Sequence, residues 1–327
     1  MPLSGAAMSE PQEALSSGLK AIACLEDEIR DFINTGRNQV RLLPKRSTWN
    51  QICSSLDVIG DTTLSIADYI SASFPTTPGL QYIYTYGLLQ ALFLQQDAIR
   101  HLAEAFELDH TPSQRLLKIR ELRNSAIGHP TKQNIGKRRY YNYISRITMS
   151  KAGFTLMRSS GDDEETHFLS VDLVATVTEQ VAEVQAALSS LSSKLQEADR
   201  MHKDRFNSSP LASIFPPTTG YFFEKVSQGI HSPSYGNSSF GLSMLGLVEE
   251  MYVKFENALI ERREFNDYIK YDLDEYKRGI QALKLYFGDN PRQLEEGDAL
   301  IYHFYLRERH KHFEQIAKEI DEDYGEA

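Results

Sequence analysis

Residues 121–132 read ELRNSAIGHPTK, and they mark the point where one structural period gives way to another. Upstream, apolar residues recur at three and four positions, the spacing of amphipathic helices. Gly128-His129-Pro130 stops that run, because glycine ends helices readily and the residue before proline is pushed out of the α region. Downstream, RYYNYISRITM (139–149) and FTLMR (154–158) are rich in Tyr, Ile, Thr and Phe, with Lys151-Ala152-Gly153 between them. That composition and break predict a β-hairpin.

Working outward, helices are expected over residues 12–34, 47–73, 80–107 and 112–128, the last capped by Thr111 with Pro112 in its first turn. After the hairpin, an acidic loop spans 162–165 and residues 167–171 suggest a third short strand. A long helix follows from Asp172 to about Phe206, with Leu173, Val177, Val181, Val184, Leu188, Leu191 and Leu195 as its apolar stripe. Residues 207–239, rich in Ser, Pro, Gly and Asn, read as a linker or long loop with at most a helical turn near 221–226. Three further helices are expected over 240–263, 264–287 and 291–323, ending in an acidic tail. The expected class is mainly α: a disordered stretch over 1–11, a helical bundle over 12–206 with a small β-hairpin near 138–158, then a linker and a helical C-terminal domain over 240–327.

With 327 residues, 41% of them apolar and 24% charged, the chain can bury a substantial core. Its two cysteines, Cys24 and Cys53, form no disulfide framework and have no metal-binding neighbours at useful spacing, which points to a reducing, cytoplasmic setting. No run approaches a membrane-spanning length, and the first residues lack the pattern of a signal peptide. The net charge of −10 argues at first against a polyanionic partner. Its distribution argues the other way. Between Thr111 and Lys151 ten basic residues face one acid, Glu121, a net of +9 that leaves −19 for the rest. A second basic run includes Arg37, Arg41, Lys45 and Arg46. The plain alternative for both is a solvated basic face.

Other chemistries find little support. His303, His310 and His312 share a helix, but their spacing lacks the i, i+4 geometry of a helical metal pair. No glycine-rich loop leads into Lys-Ser or Lys-Thr, and there is no Gly-x-Ser-x-Gly elbow. No cofactor is expected.

On a wheel of 100° per residue, Arg123 and His129 border one apolar strip that includes Leu122, Ala126 and Ile119. A histidine near a helix C-terminus is also an ordinary partner for the helix dipole, and Arg123 has Glu107 or Asp97 as candidate ion-pair partners. The stretch Arg123-Asn124-Ser125-Ala126-Ile127-Gly128-His129 nevertheless resembles the motif of the HEPN superfamily, in which an arginine, then a polar residue, precede a histidine at short spacing. Here five residues separate Arg123 from His129, and Asn124 holds the polar position. Pro130 and the preceding helix, YGLLQALFLQQDAIRHL over 86–102, are also similar to members of that superfamily. The resemblance covers about residues 12–206; the hairpin departs from a minimal bundle, and residues 207–327 lie outside it.

The resemblance implies a HEPN-like helical bundle that dimerises, bringing two motifs into one composite cleft for metal-independent RNA cleavage. It implies that Arg123 stabilises charge on the scissile phosphate, that His129 is a general acid or base, and that Asn124 orients either. It also implies roles such as toxin or defence effector, with a protein antitoxin or regulator as partner. The chemistry is coherent, since attack by a 2′-hydroxyl needs a proton acceptor, a donor and a cation for the developing charge. Asp97 is a candidate to orient Arg123 from behind; a solvated Asp97–His101 pair is the alternative. Arg120, Lys132, Lys137, Arg138 and Arg139 are candidates to hold the RNA backbone, with Tyr140, Tyr141 and Tyr143 available for base stacking. The competing functional readings are a non-catalytic HEPN-like module binding RNA or protein, and a helical scaffold with no nucleic-acid role.

Overall fold

The computed structural model describes residues 10–160, 166–231, 237–290 and 292–325. The expected disorder over 1–11 and the acidic loop at 162–165 therefore fall largely outside the described residues, although Glu10 and Pro11 already belong to the first helix. The fold is mainly helical. Its α-helices among the described residues are α1 (Glu10–Asn34), α2 (Gly36–Leu42), α3 (Arg46–Ser71), α4 (Pro78–Ala105), α5 (Gln114–Arg123), α6 (Leu173–Asp204), α7 (Thr219–His231), α8 (Asn237–Arg262), α9 (Asp267–Phe287) and α10 (Glu296–Gly325). The chain divides into two compact units, one formed by Met1–Ile33 and Lys45–Leu195, the other by Asn34–Pro44 and Gln196–Ala327. The division falls inside α6, whereas the sequence pattern places it at the end of that helix.

In the first unit, α3 and α4 pack along their lengths. Ile22, Ile29, Ile52, Leu56, Ile59, Leu89, Leu92, Val184 and Leu188 are among its fully buried side chains. Burial of each such residue contributes about 1.5–3 kcal/mol. A chain of amides runs through this apolar interior. Gln96 donates to Gln180 at 2.8 Å, Gln180 donates to Gln95 at 3.1 Å, and Gln95 donates to Thr63 at 3.2 Å. Because an unpaired buried amide is costly, this ladder fixes the register of α3, α4 and α6. The helix that leads into the motif is shorter than expected. Its N-cap is Ser113, whose hydroxyl accepts from Leu116 N at 3.2 Å, and not Thr111.

The expected hairpin is a four-stranded antiparallel meander, β1 (Gln133–Ile135), β2 (Arg138–Ile144), β3 (Gly153–Ser160) and β4 (Thr166–Asp172), in the order β1-β2-β3-β4. The first strand is not evident in the sequence because three polar or mixed residues are too few to display alternation. Gly136-Lys137 forms the two-residue turn between β1 and β2, and Gly136 alone takes a positive φ, 60°, as a type II′ hairpin turn requires. Lys151 Nζ donates to the carbonyls of Ile70 and Ala72, both at 2.6 Å, so this member of the basic segment caps the C-terminus of α3.

The second unit corrects two expectations. Residues 207–239 are not a linker: a 3₁₀ turn at Leu211–Ile214 and helix α7 occupy most of the described part. Short helices punctuated by Pro and Gly look like loop by composition, but Phe223, Val226 and Ile230 form a buried face on α7. The acidic end, expected as a tail, forms the last turns of α10 as far as Gly325. Asp321 accepts from Leu211 N at 2.7 Å and Ala212 N at 2.8 Å, and Tyr324 is buried. The core is aromatic, built on Phe215, Phe223, Tyr252, Phe255, Tyr276 and Phe313. Arg37, from the second basic run, is buried here and pairs with Asp199 and with Glu264, the latter at 3.3 Å.

Candidate functional site

The motif begins at the last residue of α5. Beyond Arg123 the backbone widens into a π-turn over Asn124–Gly128, in which His129 N donates to the Asn124 carbonyl at 2.7 Å. A π-turn inserts one residue into the helical ladder, so the 100° wheel does not hold past Asn124. His129 leaves the helix with φ −138° and ψ 49° and is exposed, and its ring has no hydrogen-bond partner among the described residues.

Arg123 is held from α4. Its Nε and Nη2 donate to the Gln90 side-chain oxygen at 3.2 and 2.6 Å, and its Nη1 donates to Asn124 Oδ1 at 3.1 Å. The guanidinium also lies 4.2 Å from the centroid of the Phe93 ring. Gly128 makes room for it: a Cβ there would stand 2.7 Å from Arg123 Nη1 and 3.3 Å from Asn124 Oδ1. Asn124 thus joins both ends of the motif, its carbonyl holding the His129 amide and its side chain holding the Arg123 guanidinium.

No carboxylate pairs with Arg123 among the described residues. Asp97, expected to orient it, instead accepts from Arg120 Nη2 at 2.5 Å and lies 3.5 Å from Arg100. The expected Asp97–His101 pair is replaced by contacts of Arg100 with both residues, the one to His101 at 2.8 Å. The reason is reach: Arg120 and Arg123 flank the same ring, Arg120 at 4.3 Å from the Phe93 centroid, and Asp97 lies one turn further along α4 on the Arg120 side. Asp97 offsets the charge of Arg120, whereas the neutral amides around Arg123 leave its charge uncompensated. Five N–H groups belong to a guanidinium, and three are used here, so two remain for an anion.

A polar network absent from the sequence reading fixes the turn from the sheet side. Arg158 donates to Ser125 Oγ at 2.7 Å and to Asn142 Oδ1 at 3.0 Å, while Ser125 and Asn142 both donate to Gln133 Oε1, at 3.0 and 2.9 Å. Asn142 N also donates to the Pro130 carbonyl at 2.8 Å. Arg158, like Arg123, has no carboxylate partner among the described residues. Lys132, Lys137, Arg138 and Arg139 are exposed, the last three at the β1–β2 hairpin. Tyr140 turns inward toward Arg158, whose guanidinium carbon is 5.5 Å from the ring centroid.

The late histidines are separately engaged. His303 Nε2–H donates to the Phe223 carbonyl at 2.8 Å, His310 Nδ1 lies 2.7 Å from the Tyr252 hydroxyl, and His312 lies 3.3 Å from Asp272. Among the described residues no group of three or more His, Cys, Asp or Glu side chains is placed to hold one metal ion, and no helix is long and apolar enough to cross a membrane. Compared with known proteins, the chain matches no family model, no curated protein and no solved structure.

Proposed function

We propose that the chain is a HEPN-type endoribonuclease that cleaves RNA by attack of the neighbouring 2′-hydroxyl, at a site completed by a second copy. The observation that carries this reading is the guanidinium of Arg123, held by the neutral oxygens of Gln90 and Asn124 with no carboxylate partner among the described residues, at one end of a π-turn whose other end is the exposed His129. A planar fork with two free N–H groups suits the non-bridging oxygens of a phosphodiester. His129 moves the proton, as base toward the 2′-hydroxyl or as acid toward the 5′ leaving oxygen, and Asn124 positions both residues.

One Arg and one His per chain are few for both proton transfers. A two-fold pair doubles them. The outer strip of α4 supports such a pairing: Ile83 (63% exposed), Tyr86 (41%) and Leu94 (40%) lie along the same helical face as Gln90, with Gly87 open between them. A second reading, an RNA-binding module without catalysis, draws support from the extent to which Arg123 is already engaged.

The test is incubation of purified protein with RNA in EDTA, alongside Arg123→Ala and His129→Ala. Wild type is expected to generate 2′,3′-cyclic phosphate ends and both variants to lose about 100-fold or more in rate. Inert wild type, or variants that cut as well as wild type, rejects the catalytic reading. Binding without cutting selects the module.

A further inference from the structure

The sheet has two faces, and the strand register sorts its residues between them. Gln133, Tyr140, Asn142, Leu156 and Arg158 lie on one face, and it carries the network that holds the π-turn. On the other face Tyr143, Met157 and Phe168 are directly opposite one another on β2, β3 and β4. Tyr141 stands two residues from Tyr143 on the same side, and Arg139 two residues further. This face is open: Tyr143 is 57% and Phe168 66% exposed.

Such aromatic exposure is unusual on a sheet face without a partner, and the surrounding charge indicates which partner. The described residues of this face include Asn134, Thr155, Ser159, Thr166 and Ser170, and its one acid among them, Asp172, stands at the far end opposite Gly153, where its carboxylate accepts from Ala175 N at 2.9 Å in the first turn of α6. Arg139 lies on it, while Lys132, Lys137 and Arg138 are exposed at its β1–β2 end without a carboxylate partner among the described residues. An apolar protein surface would gain nothing from four cations at the rim that have no carboxylate partner among the described residues. A single-stranded nucleic acid uses both features, bases on the rings and phosphates on the cations.

We propose that this outward face binds unpaired RNA, with bases stacking on Tyr143 and Phe168 and the backbone tracking along Arg139 and Lys137. The choice of RNA rests on the function proposed above; the geometry of the face does not. Strands lie about 4.8 Å apart, so the Tyr143–Met157–Phe168 row spans about 10 Å, room for two stacked or splayed bases. A base-paired RNA keeps its faces covered, so the platform selects single strands. It thereby makes the substrate class of the motif an unpaired segment.

The experiment measures binding of a fluorescein-labelled single strand of about 12 nucleotides, and of the blunt duplex of the same sequence, to His129→Ala protein, which blocks cleavage. The single strand is expected to bind at least tenfold tighter than the duplex. Adding Tyr143→Ala and Phe168→Ala is expected to weaken it about tenfold or more per lost stack, while Tyr143→Phe with Phe168→Tyr restores it. Arg139→Ala with Lys137→Ala is expected to flatten the salt dependence of binding. Equal affinity for single strand and duplex, or undiminished single-strand binding by the double alanine variant, overturns the inference. So does a change of oligomeric state in that variant without a change in RNA affinity, which would assign the face to a protein contact. Failure of the catalytic reading looks different: wild type then binds single strands through Tyr143 and Phe168 and leaves them uncut.

Discussion

Arg123 donates twice to a single oxygen, the side-chain carbonyl of Gln90, from Nε at 3.2 Å and from Nη2 at 2.6 Å. The same fork would fit a carboxylate at least as well, so the neutral acceptor is the informative feature. It orients the guanidinium without cancelling its charge.

Replacing Gln90 by Glu tests that distinction. The side chain keeps its length and its acceptor, so folding should survive, but the new carboxylate pairs with Arg123 and competes with phosphate. RNA cleavage is expected to fall at least tenfold, with thermal stability unchanged or slightly raised. Gln90→Ala should cost less activity than Gln90→Glu; the reverse ranking would count against the role of charge.

Gly128→Ala probes the packing of the motif itself. An added Cβ would meet Arg123 Nη1 at 2.7 Å, and that flexible end has to move. Cleavage is expected to drop by about 10- to 100-fold, as displacements near 1 Å do in positioned sites. Melting temperature should change by only a few degrees, because the clash involves a side-chain tip and not the backbone.

Arg37→Ala addresses the second unit. The guanidinium is 9% exposed and faces Asp199, Glu264 and, at 3.8 Å, Asp323, while stacking 5.4 Å from the Tyr324 ring centroid. Its removal leaves the Glu264 carboxyl without its cation, and a loss of about 3 kcal/mol is expected in urea unfolding. A loss below about 1 kcal/mol would mean that water reaches this cluster and screens it.

Stability of the second unit should depend on pH through its histidines. Burial pushes the imidazoles of His202, His303 and His310 below their ordinary value of 6.5. As pH falls through about 6.5 the unfolded chain takes up these protons and the folded unit does not, so unfolding is favoured. Burial also raises the Glu264 carboxyl, which opposes the trend nearer its own ordinary value of 4.5. A scan from about pH 7.5 to about 5.5 should show a falling melting temperature, and His303→Gln should flatten the slope.

The periodic helices are legible in the sequence because an amphipathic stripe is a local pattern, and α3, α4, α6, α8 and α9 follow it closely. The acidic end of α10 carries the same signal in Phe313, Ala317, Ile320 and Tyr324, but its charge density masks it. Helix α7 carries the period in Phe223, Val226 and Ile230, but the Pro, Ser and Gly residues around it make the segment look like loop, and strand β1 is too short to display a period. Within the site, Arg123, Asn124 and His129 are a contiguous motif, whereas Gln90 and Phe93 are ordinary members of a stripe on another helix. Arg158 looks like any strand arginine until the register brings it to Ser125.

By itself the sequence determined where helices run and stop, that one segment is strongly basic, and that Arg123 and His129 flank a helix end. Only the tertiary structure decided which side chain holds which cation, giving Gln90 to Arg123 and Asp97 to Arg120. It also decided that the backbone passes through a π-turn and that Tyr140 faces inward while Tyr143 faces out. The physical reason is range. Periodicity and capping act within a few residues, but a guanidinium chooses among all the acceptors that folding brings within about 3 Å, and those lie 23 and 33 residues away in the chain.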